Sequence, residues 1–215
     1  MRRVTVTVGP LVAASANNIA LSQTPTTTFT INGSTASGGV ATLDTARRVL
    51  FTPAGNESAN TFTIRGTDRA GNAQTDVVTG GNATATASVL DFLTVTSIAL
   101  LNAAAGAITV GTNGVAASAW VRLDEWASAQ VALQLVVSGT VNYTVQQTLD
   151  DPNSATNSVL PYQMTWFSSS DTNIVAASAN FQSNYAFAPI FTRVVLNSGS
   201  GSVTMQVSQL GVVPY

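Results

Sequence analysis

Thr61-Phe62-Thr63-Ile64-Arg65-Gly66-Thr67-Asp68-Arg69-Ala70-Gly71-Asn72-Ala73-Gln74-Thr75-Asp76-Val77-Val78 decides the fold class. Phe62 and Ile64 alternate with Thr61, Thr63 and Arg65, a period of two that fits a half-buried strand rather than a helix. Asp68 to Asn72 is turn chemistry, in which Gly71 can supply the positive φ a bulged turn needs, and the run from Ala73 returns as a second strand. The stretch therefore predicts a β-hairpin.

Working outward, nearly every readable segment is a short β-rich run bounded by Gly, Asn, Pro or Asp, the pattern of sandwiches and barrels. Strands are expected over 3–8, 27–32, 39–44, 48–52, 61–67, 73–78, 88–95, 97–101 and 107–110, and then over 120–123, 129–137, 141–149, 163–167, 191–197 and 202–207. A second hairpin is expected between 132 and 149 about Ser138-Gly139-Thr140. Residues 149–158 read as a long exposed loop and 176–183 as a short helical turn. Arg2-Arg3 followed by apolar residues and Ala14-Ser15-Ala16 imitates a leader sequence, but Val4-Thr5-Val6-Thr7-Val8 alternates and ends at Gly9-Pro10, which is strand and then turn.

The fold class expected is all-β, with two antiparallel β-sandwich or jelly-roll-like domains. Four aromatic residues, Phe29, Phe51, Phe62 and Phe92, precede residue 117 and eleven follow it. With the Gly-Thr-Asn-Gly core of 111–118 taken as a linker, residues 1–112 form an N-terminal β-sandwich and 113–215 an aromatic-rich C-terminal one. The alternative is one continuous sandwich with a Gly-rich crossing loop.

Charged residues are 8% of the chain and hydrophobic ones 45%, against roughly 25% charged in ordinary soluble domains. Such a surface lacks much of the charge repulsion that keeps proteins apart and suits an assembly component. All eight cations are arginine, so P-loop lysines, Schiff bases and lysine-based isopeptide bonds cannot form. Without cysteine or histidine there is no thiolate chemistry, Ser-His-Asp triad, disulfide, or zinc site with those ligands. The net charge of −2 with scattered arginines argues against a nucleic-acid groove. No run approaches the ~18 apolar residues of a membrane span. An enzyme is not expected, and no catalytic, cofactor or metal residue is assigned.

Three constellations have chemical readings beside plain ones. The pairs Asp124/Glu125 and Asp150/Asp151 could serve glycoside hydrolysis, but neighbouring carboxylates point apart on a strand and form turns in a loop. Asp68-Arg69-Ala70-Gly71-Asn72 with Asp76 offers calcium-type oxygens, which an Asx turn explains equally. Arg47-Arg48 and Arg65/Arg69 read as surface solubilisers or as contacts to a phosphate or an acidic partner.

Trp120-Val121-Arg122-Leu123-Asp124-Glu125-Trp126 sets two indoles among charges, as interface anchors do, or else belongs to a core strand. Trp120, Trp126, Trp166 and Tyr162 could also serve as sugar-stacking platforms. The apolar tail Leu210-Gly211-Val212-Val213-Pro214-Tyr215 is expected to pack on a neighbouring domain or subunit. The candidate partner interface is thus Trp120, Arg122, Trp126, Val213 and Tyr215.

The run 62–72, Phe-Thr-Ile-Arg-Gly-Thr-Asp-Arg-Ala-Gly-Asn, and the run 88–98, Ser-Val-Leu-Asp-Phe-Leu-Thr-Val-Thr-Ser-Ile, resemble an N-terminal β domain of virion proteins in tailed bacteriophages and prophages. Residues 120–124 and 139–152 resemble the second domain of the same group, so the likeness covers most of the chain. The 68–72 turn is also similar to one in bacterial Ig-like adhesion modules. The resemblance implies a capsid decoration or cement protein, or else a head–tail or tail component. It implies as partners the major capsid protein or other virion proteins and further copies of the chain, and as location a virion assembled in the bacterial cytoplasm.

Overall fold

The computed structural model describes residues 2–124 and 130–209. The chain divides into two compact units. One is Val12–Gly114, here the inserted unit; the other joins the residues up to Leu11 with those from Val115 onward, here the split unit. In chain order the strands are β1 (Arg2–Val8), β2 (Ser15–Gln23), β3 (Ala36–Ser37), β4 (Val40–Pro53), β5 (Thr61–Thr67), β6 (Ala73–Thr79), β7 (Thr86–Leu100) and β8 (Ile108–Ala117). They continue as β9 (Val121–Arg122), β10 (Val131–Ser138), β11 (Val141–Thr148), β12 (Phe167–Ser168), β13 (Phe181–Tyr185), β14 (Phe191–Gly199) and β15 (Ser202–Gln209). Helix among the described residues is limited to single 3-10 turns at Pro161–Gln163 and Thr172–Ile174, and no helix there is long and apolar enough to cross a membrane. The protein is all-β, built of antiparallel sheets as a sandwich.

In the inserted unit the sheet order is β8-β4-β7-β5-β6, with β2 on β8 and β3 on β4. The β5–β6 hairpin pairs Thr61 with Thr79 through to Thr67 with Ala73. Its turn is an Asx turn: Asp68 Oδ1 accepts from the backbone N–H groups of Ala70 and Asn72, and Oδ2 accepts from Asn72 Nδ2. Gly71 lies at φ +86. The early phenylalanines form the core, Phe51 stacked on Phe62 at 4.5 Å with Phe29 edge-on to both at 6.1 Å. Glu57, 2% exposed, accepts from Ala105 N, Gly106 N and Asn60 Nδ2, which satisfies a buried carboxylate and anchors the loop before β8.

In the split unit, one sheet runs β1-β15-β10-β13 and the other β12-β11-β14, with β9 on β14. Val131, Leu133, Leu135, Val203, Met205 and Val207 of the first share a core with Val141, Tyr143, Val145, Val194 and Leu196 of the second. The residues between them in sequence turn to the other face, as a period of two requires, where Thr144 and Val195 are buried in their turn.

Six expectations need correction. First, residues 1–11 do not belong with the first domain, because β1 pairs with β15 over its whole length, Arg2 with Gln209 to Val8 with Val203. Alternation reveals a strand but not its partner two hundred residues away. Second, 111–118 does carry the chain from one unit to the other, between Gly114 and Val115, but as strand and not as a linker loop. Most of it lies in β8, with Ser15 opposite Thr112, and a side chain at Gly111 would collide with the Ser15 carbonyl.

Third, β10 and β11 form no hairpin. β10 pairs with β13 and β15, whereas β11 pairs with β12 and β14, so Ser138-Gly139-Thr140 carries the chain from one sheet to the other. Both strands are apolar on one face, and each finds its core by sitting in the opposite layer. Fourth, 176–183 is not helical: Ala176 has φ +53 and β13 begins at Phe181. Fifth, of 27–32, only Thr28 makes a bridge, to Ala99.

Sixth, Arg47 is no surface solubiliser. It is 1% exposed; Nη1 donates to Val12 O at 2.9 Å and Asp44 Oδ1 at 3.1 Å, and Nη2 donates to Asn113 O at 2.6 Å. One guanidinium thereby joins the first residue of the inserted unit to its penultimate one. Arg48 lies 3.6 Å from Asp91, while Arg65 stays exposed.

Two predictions follow from these close approaches. Arg47→Ala leaves two backbone carbonyls and Asp44 without their cation, and should lower the inserted unit's stability by about 2–4 kcal/mol in urea unfolding. Arg65→Ala, at an exposed site, should stay within about 0.5 kcal/mol. Gly201→Ala would drive a methyl group into the Ser138 carbonyl where the two sheet-crossing turns meet. It should cost the split unit about 1–3 kcal/mol, read as a lower Tm.

Candidate functional site

The sequence Trp120-Val121-Arg122 recurs in kind as Phe191-Thr192-Arg193: an aromatic residue, an inward residue, an arginine. On a strand, positions two apart share a face. Antiparallel pairing of β9 with β14 sets Arg122 opposite Phe191 and Val121 opposite Thr192, so both motifs turn their aromatic and cationic groups to the same outer side. The inward members join the interior: Val121 lies in the core, and Thr192 meets the Tyr185 hydroxyl at 2.8 Å.

Trp166 enters this face from the segment just before β12. Its ring lies 5.3 Å from that of Trp120, tilted by 54°, and Trp120 stands edge-on to Phe191 at 5.8 Å. The Arg193 guanidinium sits 4.1 Å from the centre of Trp166, and that of Arg122 sits 5.3 Å from Phe191. Phe191 is buried and the two tryptophans are half-buried.

Both arginines are held. Arg122 makes a two-pronged pair with Asp151, Nη1 to Oδ1 at 2.9 Å and Nη2 to Oδ2 at 2.7 Å. Arg193 donates through Nε and Nη2 to Gln146 Oε1 at 3.0 and 2.8 Å. Planar forks of this kind fix a guanidinium over an aromatic ring in a way a lysine could not. The hydrogen bonds from Arg122 hold the Asp151 carboxyl below the usual carboxylate range.

The acidic pair at 150–151 builds the loop that delivers Trp166. Asp150 Oδ2 accepts from Thr165 N at 2.6 Å, and Asp151 O accepts from Ser154 N and Val159 N. These carboxylates are therefore engaged in closing a loop and pairing with arginine. Asp76 is likewise engaged, accepting from Val77, Val89 and Leu90 N–H groups. Among the described residues no group of three or more potential metal ligands gathers. Leu149, Leu160 and Phe167, on the same chain segment, are at least half exposed.

Of the interface residues expected from the sequence, Trp120 and Arg122 lie together on this face. Trp126, Val213 and Tyr215 lie outside the described residues, and Tyr162 falls in the 3-10 turn of Pro161–Gln163. Phe191, Arg193 and Gln146 escaped the sequence reading, which took Asp151 only as half of an acidic pair and missed its bond to Arg122. The repeated aromatic-x-Arg spacing was the available signal for the first two; Gln146 and Asp151 carried none, since their roles depend on which strands become neighbours. No protein-family model, curated protein or solved structure matches the chain.

A depressed carboxyl contributes stability above its unfolded pKa, about 3.9, and loses that contribution as pH falls through the folded value. Asp171, whose carboxyl is lowered by hydrogen bonds from Ser183 and Asn173, behaves the same way. The split unit should therefore weaken below about pH 4, and Asp151→Asn should reduce that acid sensitivity. The check is urea midpoints at pH 7 and pH 3, followed by tryptophan fluorescence. At the other extreme, burial pushes Tyr185 up to about 12, so alkaline loss of stability should begin above pH ~10, where the unfolded phenol ionises.

Proposed function

We propose that this chain is a non-enzymatic structural protein of a tailed-phage particle, a decoration or cement protein that buries surface between capsid subunits. The observation that carries the reading is the face of Trp120, Trp166, Phe191, Arg122 and Arg193. It is rich in the residue types that dominate binding energy at protein interfaces, and its cations already have internal partners, so covering it strands no charge. A chain with 8% charged residues has little long-range repulsion to overcome when packed at high local concentration. The likeness of 62–72, 88–98, 120–124 and 139–152 to virion β domains supplies the particle context. Partners on this reading are the major capsid protein, other virion proteins and copies of the chain itself. With no lysine, any reinforcement it gives is by non-covalent burial.

A second reading, a tail or head–tail component that binds a receptor sugar, is favoured by one observation: the tilted Trp120–Trp166 pair, whose indole surfaces could stack on a sugar ring.

Quantitative mass spectrometry of purified particles tests both. Copy numbers comparable to the major capsid protein support the decoration role, and a few copies per particle support the tail role. Absence from particles overturns both. A Trp120→Ala/Trp166→Ala chain should keep its β circular dichroism yet fall out of the particles.

A further inference from the structure

The opposite sheet of the split unit carries a different surface. Register sets Gln206 beside Gln134 and Gln134 beside Gln182. One step of the pleat away on the same face, Ser208, Ala132 and Asn184 stand abreast. Their sequence neighbours Leu133, Leu135, Met205 and Val207 are in the core, so these side chains point away from it. With strands about 4.8 Å apart, three glutamines form a ladder across the sheet. They lie in an open groove of about 410 Å³, lined by Arg3, Gln134, Gln182, Asn184, Gln206 and Ser208. Among the described residues, the side-chain amides of Gln134, Gln182, Asn184 and Gln206 have no hydrogen-bond partner.

An outer sheet face is ordinarily polar, but this one is polar in a particular way. Among the described residues no carboxylate lines the groove, and Arg3 is its one charge. Each amide offers two donors and an acceptor oxygen, so a row of them matches groups that donate and accept side by side, as sugar hydroxyls do. An anionic ligand would find one cation. Among the described lining residues the aliphatic ones are Ala132 and the buried Leu133, so a folded protein would find no exposed aromatic or large aliphatic anchor there, and would have to desolvate a row of amides whose pairing it could match only in part. An open groove crossing several strands suits a chain-like ligand.

We propose that the Gln206–Gln134–Gln182 ladder binds a neutral oligosaccharide chain, with Asn184 and Ser208 as flanking contacts. This site is on the other sheet from the tryptophan face and stands independently of the role in a phage particle. Binding is by direct and water-bridged hydrogen bonds, each individually modest, so affinity grows with the number of sugar units engaged.

Affinity electrophoresis of the full chain through gels containing dextran, laminarin, galactomannan or, as the anionic control, polygalacturonate tests the proposal. Retardation is expected in at least one neutral gel and not in polygalacturonate. Gln134→Ala/Gln206→Ala should weaken it about ten-fold or more, as loss of several hydrogen bonds implies. Gln182→Ala/Asn184→Ala, on the edge strand, should weaken it as well, while Arg65→Ala, at an exposed position of the inserted unit, should leave it unchanged. No retardation in any neutral gel, retardation confined to polygalacturonate, or retardation lost with Trp120→Ala but kept in both amide variants would overturn the proposal. So would conversion of an oligomer to monomers by the amide substitutions with no effect on retardation, which would make the ladder a contact between copies.

Discussion

The pairing of Arg2–Val8 with Ser202–Gln209 is the contact on which the organisation of the chain depends. It binds the first strand to the last described one, and everything between must be accommodated within that closure. The 103 residues of Val12–Gly114 form their own core around Phe29, Phe51 and Phe62, and their two ends must lie close together. Arg47 meets that requirement chemically, since its single guanidinium accepts no proton partner but donates to Val12 O and Asn113 O at once. Burying this cation is tolerable because both Nη atoms end on oxygens, which leaves Nε as its one buried donor without a partner.

The sandwich of the split unit follows from the same closure. β1 contributes Val4, Val6 and Val8 to the core layer and Arg3, Thr5 and Thr7 to the outer face. The sheet it borders can therefore present a largely polar surface, interrupted by Ala132 and Val136, while the facing sheet, through β9, β11, β12 and β14, presents an aromatic one. Two outer faces of contrasting chemistry on one small sandwich are a direct product of period-two alternation in strands that sit in opposite layers.

Much of this was legible in the sequence, and the failures share a cause. The all-β class, the 61–78 hairpin, the positive φ at Gly71 and the placement of Trp120 with Arg122 all depend on local pattern. Whatever depends on neighbours far along the chain was not legible. The turn at Gly139 looks like a hairpin locally because turn residues do not state whether the next strand stays in the same sheet. Arg47 looks solvent-exposed locally because its acceptors lie 35 and 66 residues away. The edge strand β13 was obscured by Ala, Ser and Asn upstream, which carry weak β preference, until pairing with β10 fixed it.

The closure of β1 on β15 also imposes an order on synthesis. As the chain emerges from the ribosome at about 5–20 residues per second, the inserted unit has all its strands once residue 114 is out and can complete its core. β1, made first, must wait for its partner until the last strand emerges, on the order of ten seconds or more later. For that interval β1 has no strand to pair with, and its alternation of valine with threonine and arginine, instead of an unbroken apolar run, limits what else it can pair with in a crowded cell.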